Sequence, residues 1–151
     1  MEIGGVTYTG HHTGLVVSNL ERSIAFYRDL LGLELMVEVR LADPWIGEMT
    51  GLPSADLRIA CLKVGGSDHF LEVIHYESPR GDASESAPIN TVGSMHVCLA
   101  VEDLDAVCQR LRSAGVDFHT DPVTILGRPE IRLVYFRDPD GMLLELVQAT
   151  L

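Results

Sequence analysis

The stretch Gly10-His11-His12-Thr13-Gly14-Leu15-Val16-Val17-Ser18-Asn19-Leu20 returns later in the chain as Gly93-Ser94-Met95-His96-Val97-Cys98-Leu99-Ala100-Val101-Glu102-Asp103-Leu104. With His12 set on His96, an offset of 84 positions (12 to 96), Leu15 falls on Leu99, Val17 on Val101, Asn19 on Asp103 and Leu20 on Leu104. The chain is a tandem of two similar modules. Each opens with a histidine-bearing strand and each later carries a glutamate inside an apolar run: Glu72 in Phe70-Leu71-Glu72-Val73-Ile74, and Glu145 in Met142-Leu143-Leu144-Glu145-Leu146-Val147.

Outward from the first copy, His12 to Val17 alternates, so His12, Gly14 and Val16 share one strand face and Thr13, Leu15 and Val17 the other. Ser18-Asn19-Leu20-Glu21 has the capping-box pattern, and Leu20, Ile24, Tyr27 and Leu31 follow at helical spacing until Gly32, placed to end the helix in the left-handed conformation. Leu33 to Arg40 alternates again as a second strand. Leu41 to Asp56, broken by Pro44, Gly47, Gly51 and Pro53 around Trp45 and Met49, reads as a loop with one helical turn at most, near a ligand. Leu57–Val64 and His69–Tyr76 form a hairpin across Gly65-Gly66-Ser67-Asp68. The first module, 10–76, is therefore β-α-β-β-β.

Residues 77–93 turn to Ser, Pro, Gly, Asp and Glu, the composition of a linker. The second module, 94–151, repeats the order: strand 95–101, helix Asp103 to Ala114 stopped by Gly115, strand 116–120, a turn-rich connection, strand 131–137, the turn Asp138-Pro139-Asp140-Gly141, and strand 142–149. Residues 1–151 form one α+β domain of two modules. Leu15, Val17, Leu99 and Val101 face the helices that follow them, so His12 and His96 face the opposite side, beside the small residues Gly14, Cys98 and Ala100.

At 151 residues and 46% hydrophobic, the chain is long enough to bury a substantial core. Its formal charge of −11 repels a phosphate backbone and argues against nucleic acid as a partner. No apolar run reaches the roughly 18 residues of a membrane span, and Met1-Glu2-Ile3-Gly4-Gly5 lacks the features of a signal peptide. Cys61, Cys98 and Cys108 have no zinc-finger spacing and read as free thiols, so the expected compartment is the cytoplasm.

A carboxylate fixed among apolar neighbours must be paired, protonated or bound to a cation, because an isolated buried charge costs far too much. A lone strand histidine is more often a satisfied core residue than a ligand. Here, however, His12 with His96 and Glu72 with Glu145 occupy matched places in a repeat, as unrelated core histidines would not. Imidazole nitrogen and carboxylate oxygen suit divalent Zn, Ni, Co, Mn or Fe, and two of each leave one or two positions for water or substrate. His11 projects away from the face of His12, and His69, His75 and His119 lie at strand edges or off that face.

The stretch His12-Thr13-Gly14-Leu15-Val16-Val17-Ser18-Asn19-Leu20-Glu21-Arg22-Ser23-Ile24-Ala25-Phe26-Tyr27-Arg28-Asp29-Leu30-Leu31-Gly32-Leu33 resembles the opening of the vicinal oxygen chelate superfamily, and Val134-Tyr135-Phe136-Arg137-Asp138-Pro139-Asp140-Gly141-Met142-Leu143-Leu144-Glu145-Leu146 resembles its closing motif. That superfamily includes glyoxalase I, methylmalonyl-CoA epimerase, extradiol dioxygenases and drug-resistance proteins. The resemblance implies two βαβββ modules whose eight strands form a U-shaped cleft around one divalent metal, in a homodimer acting on a small-molecule substrate. It puts His12, Glu72, His96 and Glu145 on the four metal-ligand positions.

The extradiol and fosfomycin branches use His, His and Glu without the position of Glu72, so the full quartet implies a lyase or isomerase of the glyoxalase I or epimerase kind. In that branch the metal stabilises an enediolate or enolate while Glu145, or Glu72 by symmetry, removes the proton. An Fe²⁺ dioxygenase and a non-catalytic, drug-sequestering protein are the rival classes. An epimerase needs a second carboxylate, for which Glu48 and Asp56 are the candidates, and glyoxalase I needs cations for glutathione, for which Arg40, Arg128 and Arg132 are.

Overall fold

The alternation around His12 folds as a strand, in a computed structural model that describes residues 2–3, 6–82 and 86–149. A short antiparallel pair, β1 (Glu2–Ile3) and β2 (Val6–Thr7), precedes β3 (His12–Val16). The chain divides into two compact units, Met1–Arg28 with Gly32–Gly81 and Asp29–Leu31 with Asp82–Leu151. Residues 83–85 of the expected linker lie outside the described residues.

After β3, the backbone is turned into a helix by Asn19, whose side chain accepts the Arg22 N–H at 2.8 Å. The capping pattern thus works one residue later than Ser18, whose hydroxyl instead accepts from the Arg22 guanidinium at 2.9 Å. Helix α1 (Leu20–Ile24) continues as a π-helical segment, Ala25–Leu30, and Gly32 ends it at φ +83°. The wider winding puts the adjacent Phe26 and Tyr27 both in the core with Leu20 and Ile24.

Three further strands, β4 (Glu34–Leu41), β5 (Asp56–Lys63) and β6 (Phe70–Ser78), complete a sheet of order β3-β6-β5-β4, in which β3 runs parallel to β6. Leu15, Val73 and Ala60, side by side in register and all buried, form the face under α1. The opposite face carries His12, Gly14, Glu72 and Cys61. Between β4 and β5, Pro44–Thr50 is a seven-residue helix, α2, where sequence reads mainly loop. Pro44 supplies the fixed φ of a first turn, and Ile46 inserts among Ala55, Leu57 and Ile59, with Leu41, Cys61, Ile74 and Tyr76 packed around them. Residues 57, 59 and 61 pair directly across from 76, 74 and 72 and so share the face of Glu72, which makes α2 a cap on the histidine-bearing face.

The second unit repeats the plan. Strand β7 (His96–Ala100) leads to α3 (Leu104–Ser113), capped by Asp103, which accepts the Ala106 N–H at 2.9 Å; Gly115 stops the chain's helical path at φ +83°. The strands β8 (Val123–Ile125), β9 (Arg128–Arg137) and β10 (Leu143–Ala149) follow, in the sheet order β7-β10-β9-β8 with β7 parallel to β10. The strand expected at 116–120 is reduced to one bridge between Phe118 and Phe136, whose rings stack at 5.4 Å; Asp121-Pro122 then redirects the chain into β8. The molecule is thus α+β, with two mixed four-stranded sheets each built in the order β-α-β-β-β.

Candidate functional site

In the first unit, β3 and β6 pair so that His12 stands opposite Phe70 and Gly14 opposite Glu72. His12 and Glu72 are diagonal neighbours on the face away from α1, and His12 Nε2 lies 3.6 Å from Glu72 Oε2. The His12 ring stacks on Phe70, with centroids 5.4 Å apart. Cys61, across from Glu72 on β5, has its thiol held above its usual range by partial burial and then by the charge of Glu72.

The second unit reproduces this register: His96 opposite Leu143, Cys98 opposite Glu145. Here His96 Nε2 lies 3.0 Å from Glu145 Oε2, and Glu145 is nearly enclosed, with 9% of its surface exposed. The turn before β10 places it: Asp138 Oδ1 accepts the N–H groups of Asp140 at 2.9 Å and Met142 at 2.8 Å, and Gly141 adopts φ +85°. Tyr135, directly across from Glu145 on β9, shares its sheet face and meets the His96 ring edge-on at 5.4 Å. Burial, then the Glu145 charge, raise the Tyr135 hydroxyl; the Cys98 thiol, reached by water but set in protein beside Glu145, is pushed up to about 11 by desolvation first and Glu145 second.

The four anticipated residues therefore come in pairs, one His–Glu pair within each unit. Among the described residues, no group of three or more His, Cys, Asp or Glu is gathered that could hold a metal. Each pair nonetheless offers one imidazole nitrogen and one carboxylate oxygen side by side on an accessible sheet face. That donor chemistry fits a divalent ion such as Zn²⁺ or Ni²⁺.

Other candidates are engaged elsewhere. Asp56 is held bidentately by Arg40, at 2.9 and 2.6 Å, and Glu48 is exposed on α2. Arg132 is bound to Asp105 and Arg128 to Glu130, so the three arginines considered for a dicarboxylate ligand are satisfied within the chain. His75 is buried with Nδ1 3.1 Å from the Val17 carbonyl oxygen, and His69 Nε2 lies 3.0 Å from Thr13 Oγ1. Phe136 is core, whereas Trp45 and Met49 stand exposed on α2.

Sequence reasoning missed two neighbours of the pairs. Tyr135 is detectable only once the β9–β10 register is known. His11, expected on the far side, instead has its ring against His12 and Phe70.

Two His–Glu pairs built at matching registers of two β-α-β-β-β units define a paired-module protein with a candidate divalent-metal site. The Glyoxalase/Bleomycin resistance protein/Dioxygenase superfamily matches residues 10–146, and the chain belongs to that superfamily. It is 33% identical over 144 residues to a 2-epi-5-epi-valiolone epimerase from Actinomyces, covering 91% of this chain and 77% of that protein. It is 30% identical over 161 residues to a lactoylglutathione lyase from Pseudomonas aeruginosa, covering 100% of this chain and 89% of that one. A crystal structure of a glyoxalase family protein from Bacillus cereus superposes with a TM-score of 0.90 at 26% identity, over 99% of this chain and 100% of that one. Members of this superfamily generally use a divalent metal ion. Among the described residues, no helix is long and apolar enough to cross a membrane.

Proposed function

We propose that the chain is a divalent-metal-dependent lyase or isomerase that withdraws a proton from the carbon beside a carbonyl group. The single observation that carries this reading is the repetition of the His–Glu pair: two copies at equivalent register supply four donors, all filled. His12, Glu72, His96 and Glu145 would hold the ion, with Zn, Ni, Co or Mn suited to such a mixed nitrogen and oxygen set. When bound, the ion supplies Lewis acidity toward the neighbouring oxygens of the substrate.

The chain's own residues supply the proton chemistry. Glu145, or Glu72 by the symmetry of the repeat, accepts the proton from carbon. Tyr135 and Cys98, directly across from Glu145 on the two flanking strands, wall its carboxylate in while His96 stands 3.0 Å from it. Trp45 and Met49 on the capping helix are available for an apolar part of the substrate. The similarity to one lyase and one epimerase supports this reaction class, and three free thiols suit a cytoplasmic protein, here taken to work as a homodimer.

The superfamily also has members that are not enzymes, so the test begins with the metal. Mass spectrometry of purified protein is expected to find about one Ni, Co, Zn or Mn per site, lost in His96→Ala. Protein that takes up none of these ions on reconstitution overturns the reading. Glu145→Gln is expected to keep its metal and lose turnover of 2-oxoaldehyde hemithioacetals or 2-substituted acyl-CoA thioesters; a fully active variant removes Glu145 from the role of base.

A further inference from the structure

His11 has no part in the metal reading, yet its ring is placed against a proposed ligand. His11 Nδ1 and His12 Nδ1 are 2.7 Å apart, with ring centroids at 5.0 Å and planes at 76°. Phe70, opposite His12 in the β3–β6 register, fixes both: His12 stacks on it at 27°, and His11 meets it edge-on at 5.1 Å. Two imidazole nitrogens this close share one proton, so one donates and the other accepts.

Which ring donates follows from what His12 must offer. An imidazole that gives the lone pair of Nε2 to a cation keeps its proton on Nδ1. His12 Nδ1–H is then the donor, His11 Nδ1 the acceptor, and the proton of His11 sits on Nε2. We propose that His11 is a positioning residue that holds His12 in the tautomer and ring orientation that leave Nε2 open to a divalent cation. This rests on the metal reading above and extends it to a residue outside the quartet.

The second unit shows why the device belongs to the first. At the repeat offset, Met95 stands where His11 stands, and Leu143 takes the register position of Phe70. His96 is instead oriented by Tyr135 at its edge and by Glu145 at 3.0 Å. In the first unit Glu72 is farther from its histidine, at 3.6 Å, beyond hydrogen-bond reach. The orientation of His12 therefore comes from its other nitrogen.

The test uses Zn²⁺ alone as the probe, on the full chain and on His11→Phe and His11→Asn, with affinity read by competition against a chelating dye. Phenylalanine keeps the contact with Phe70 but has no acceptor, whereas asparagine Oδ1 is as many bonds from Cα as Nδ1 and accepts. His11→Phe is expected to bind zinc about tenfold more weakly, the low end for such partners because the rings are exposed, and His11→Asn to bind nearly as wild type does. In ¹⁵N NMR of the zinc-loaded wild type, the two Nδ1 nuclei are expected to show coupling across the hydrogen bond. Equal zinc affinity in His11→Phe, or absent coupling in the zinc-loaded wild type, overturns this proposal alone. Wild-type protein that takes up no zinc or other divalent ion overturns it together with the metal reading.

Discussion

Truncating Ile46 to alanine tests whether α2 is a separately docked cap. Ile46 is fully buried, but its neighbours are Ala55, Leu57 and Ile59 on the face opposite α1, not the main core beneath that helix. Removing its outer carbons loses about 2 kcal/mol of transfer free energy and leaves a cavity, for a total of about 3 kcal/mol. That is a shift of roughly 150-fold between docked and undocked cap. Seven helical residues do not hold together in water by themselves, so α2 should come off as a unit while the sheet stays folded.

The chain's one tryptophan, Trp45, lies on α2 and reports this directly. In a urea titration of Ile46→Ala, its fluorescence is expected to change at lower denaturant than the far-UV circular dichroism, and acrylamide should quench it more strongly in native buffer. Fluorescence and dichroism curves that superimpose, both displaced by the whole cost, would show α2 to be part of the cooperative core and refute the reasoning.

Two other outcomes follow from the charges. Arg132 grips Asp105 bidentately, at 2.7 and 2.9 Å, and holds its carboxyl below the usual aspartate range. A depressed native pKa stabilises the fold above the unfolded value, about 4, and that contribution vanishes as pH falls through the native value. The gap in melting temperature between wild type and Asp105→Asn is therefore expected to be present at neutral pH and to close under acid; a constant gap would contradict the pairing. Cys98, with its thiol pushed up to about 11, should alkylate slowly at neutral pH although water reaches it, as mass mapping of its peptide would show. Glu145→Gln removes the adjacent charge and should speed that alkylation; an unchanged rate would separate the two side chains.

What sequence shows best is what the repeat fixes twice. Asn19 and Asp103, aligned by the 84-position offset, are both helix caps, and Gly32 and Gly115 both stop a helix at φ +83°. His12 with Glu72 and His96 with Glu145 meet because strand parity places all four residues on faces away from the helices. What sequence leaves hidden depends on tertiary placement. α2 forms despite Gly47 because Pro44 starts it and Ile46 finds an apolar site on the sheet. The 116–120 run supplies one bridge instead of a strand because Phe118 is drawn onto Phe136. The π winding after Ile24 leaves no mark in the spacing of Leu20, Ile24, Tyr27 and Leu31, and the ring of His11 turns back toward His12 through contacts that no periodicity encodes.

The parallel pairing of β3 with β6, and of β7 with β10, also bears on how the chain is made. Each His–Glu pair joins the strand that precedes the helix of its unit to the last strand of that unit, so it is among the most expensive contacts to close in chain entropy. A growing polypeptide has no first pair until Phe70–Ser78 has emerged and docked, and no second until Leu143–Ala149 has done so. Paired donors are thus absent from every incomplete unit, so the proposed site has no existence before folding is finished. Half a unit, left by premature termination or proteolysis, keeps its histidine but has lost the carboxylate that stands beside it.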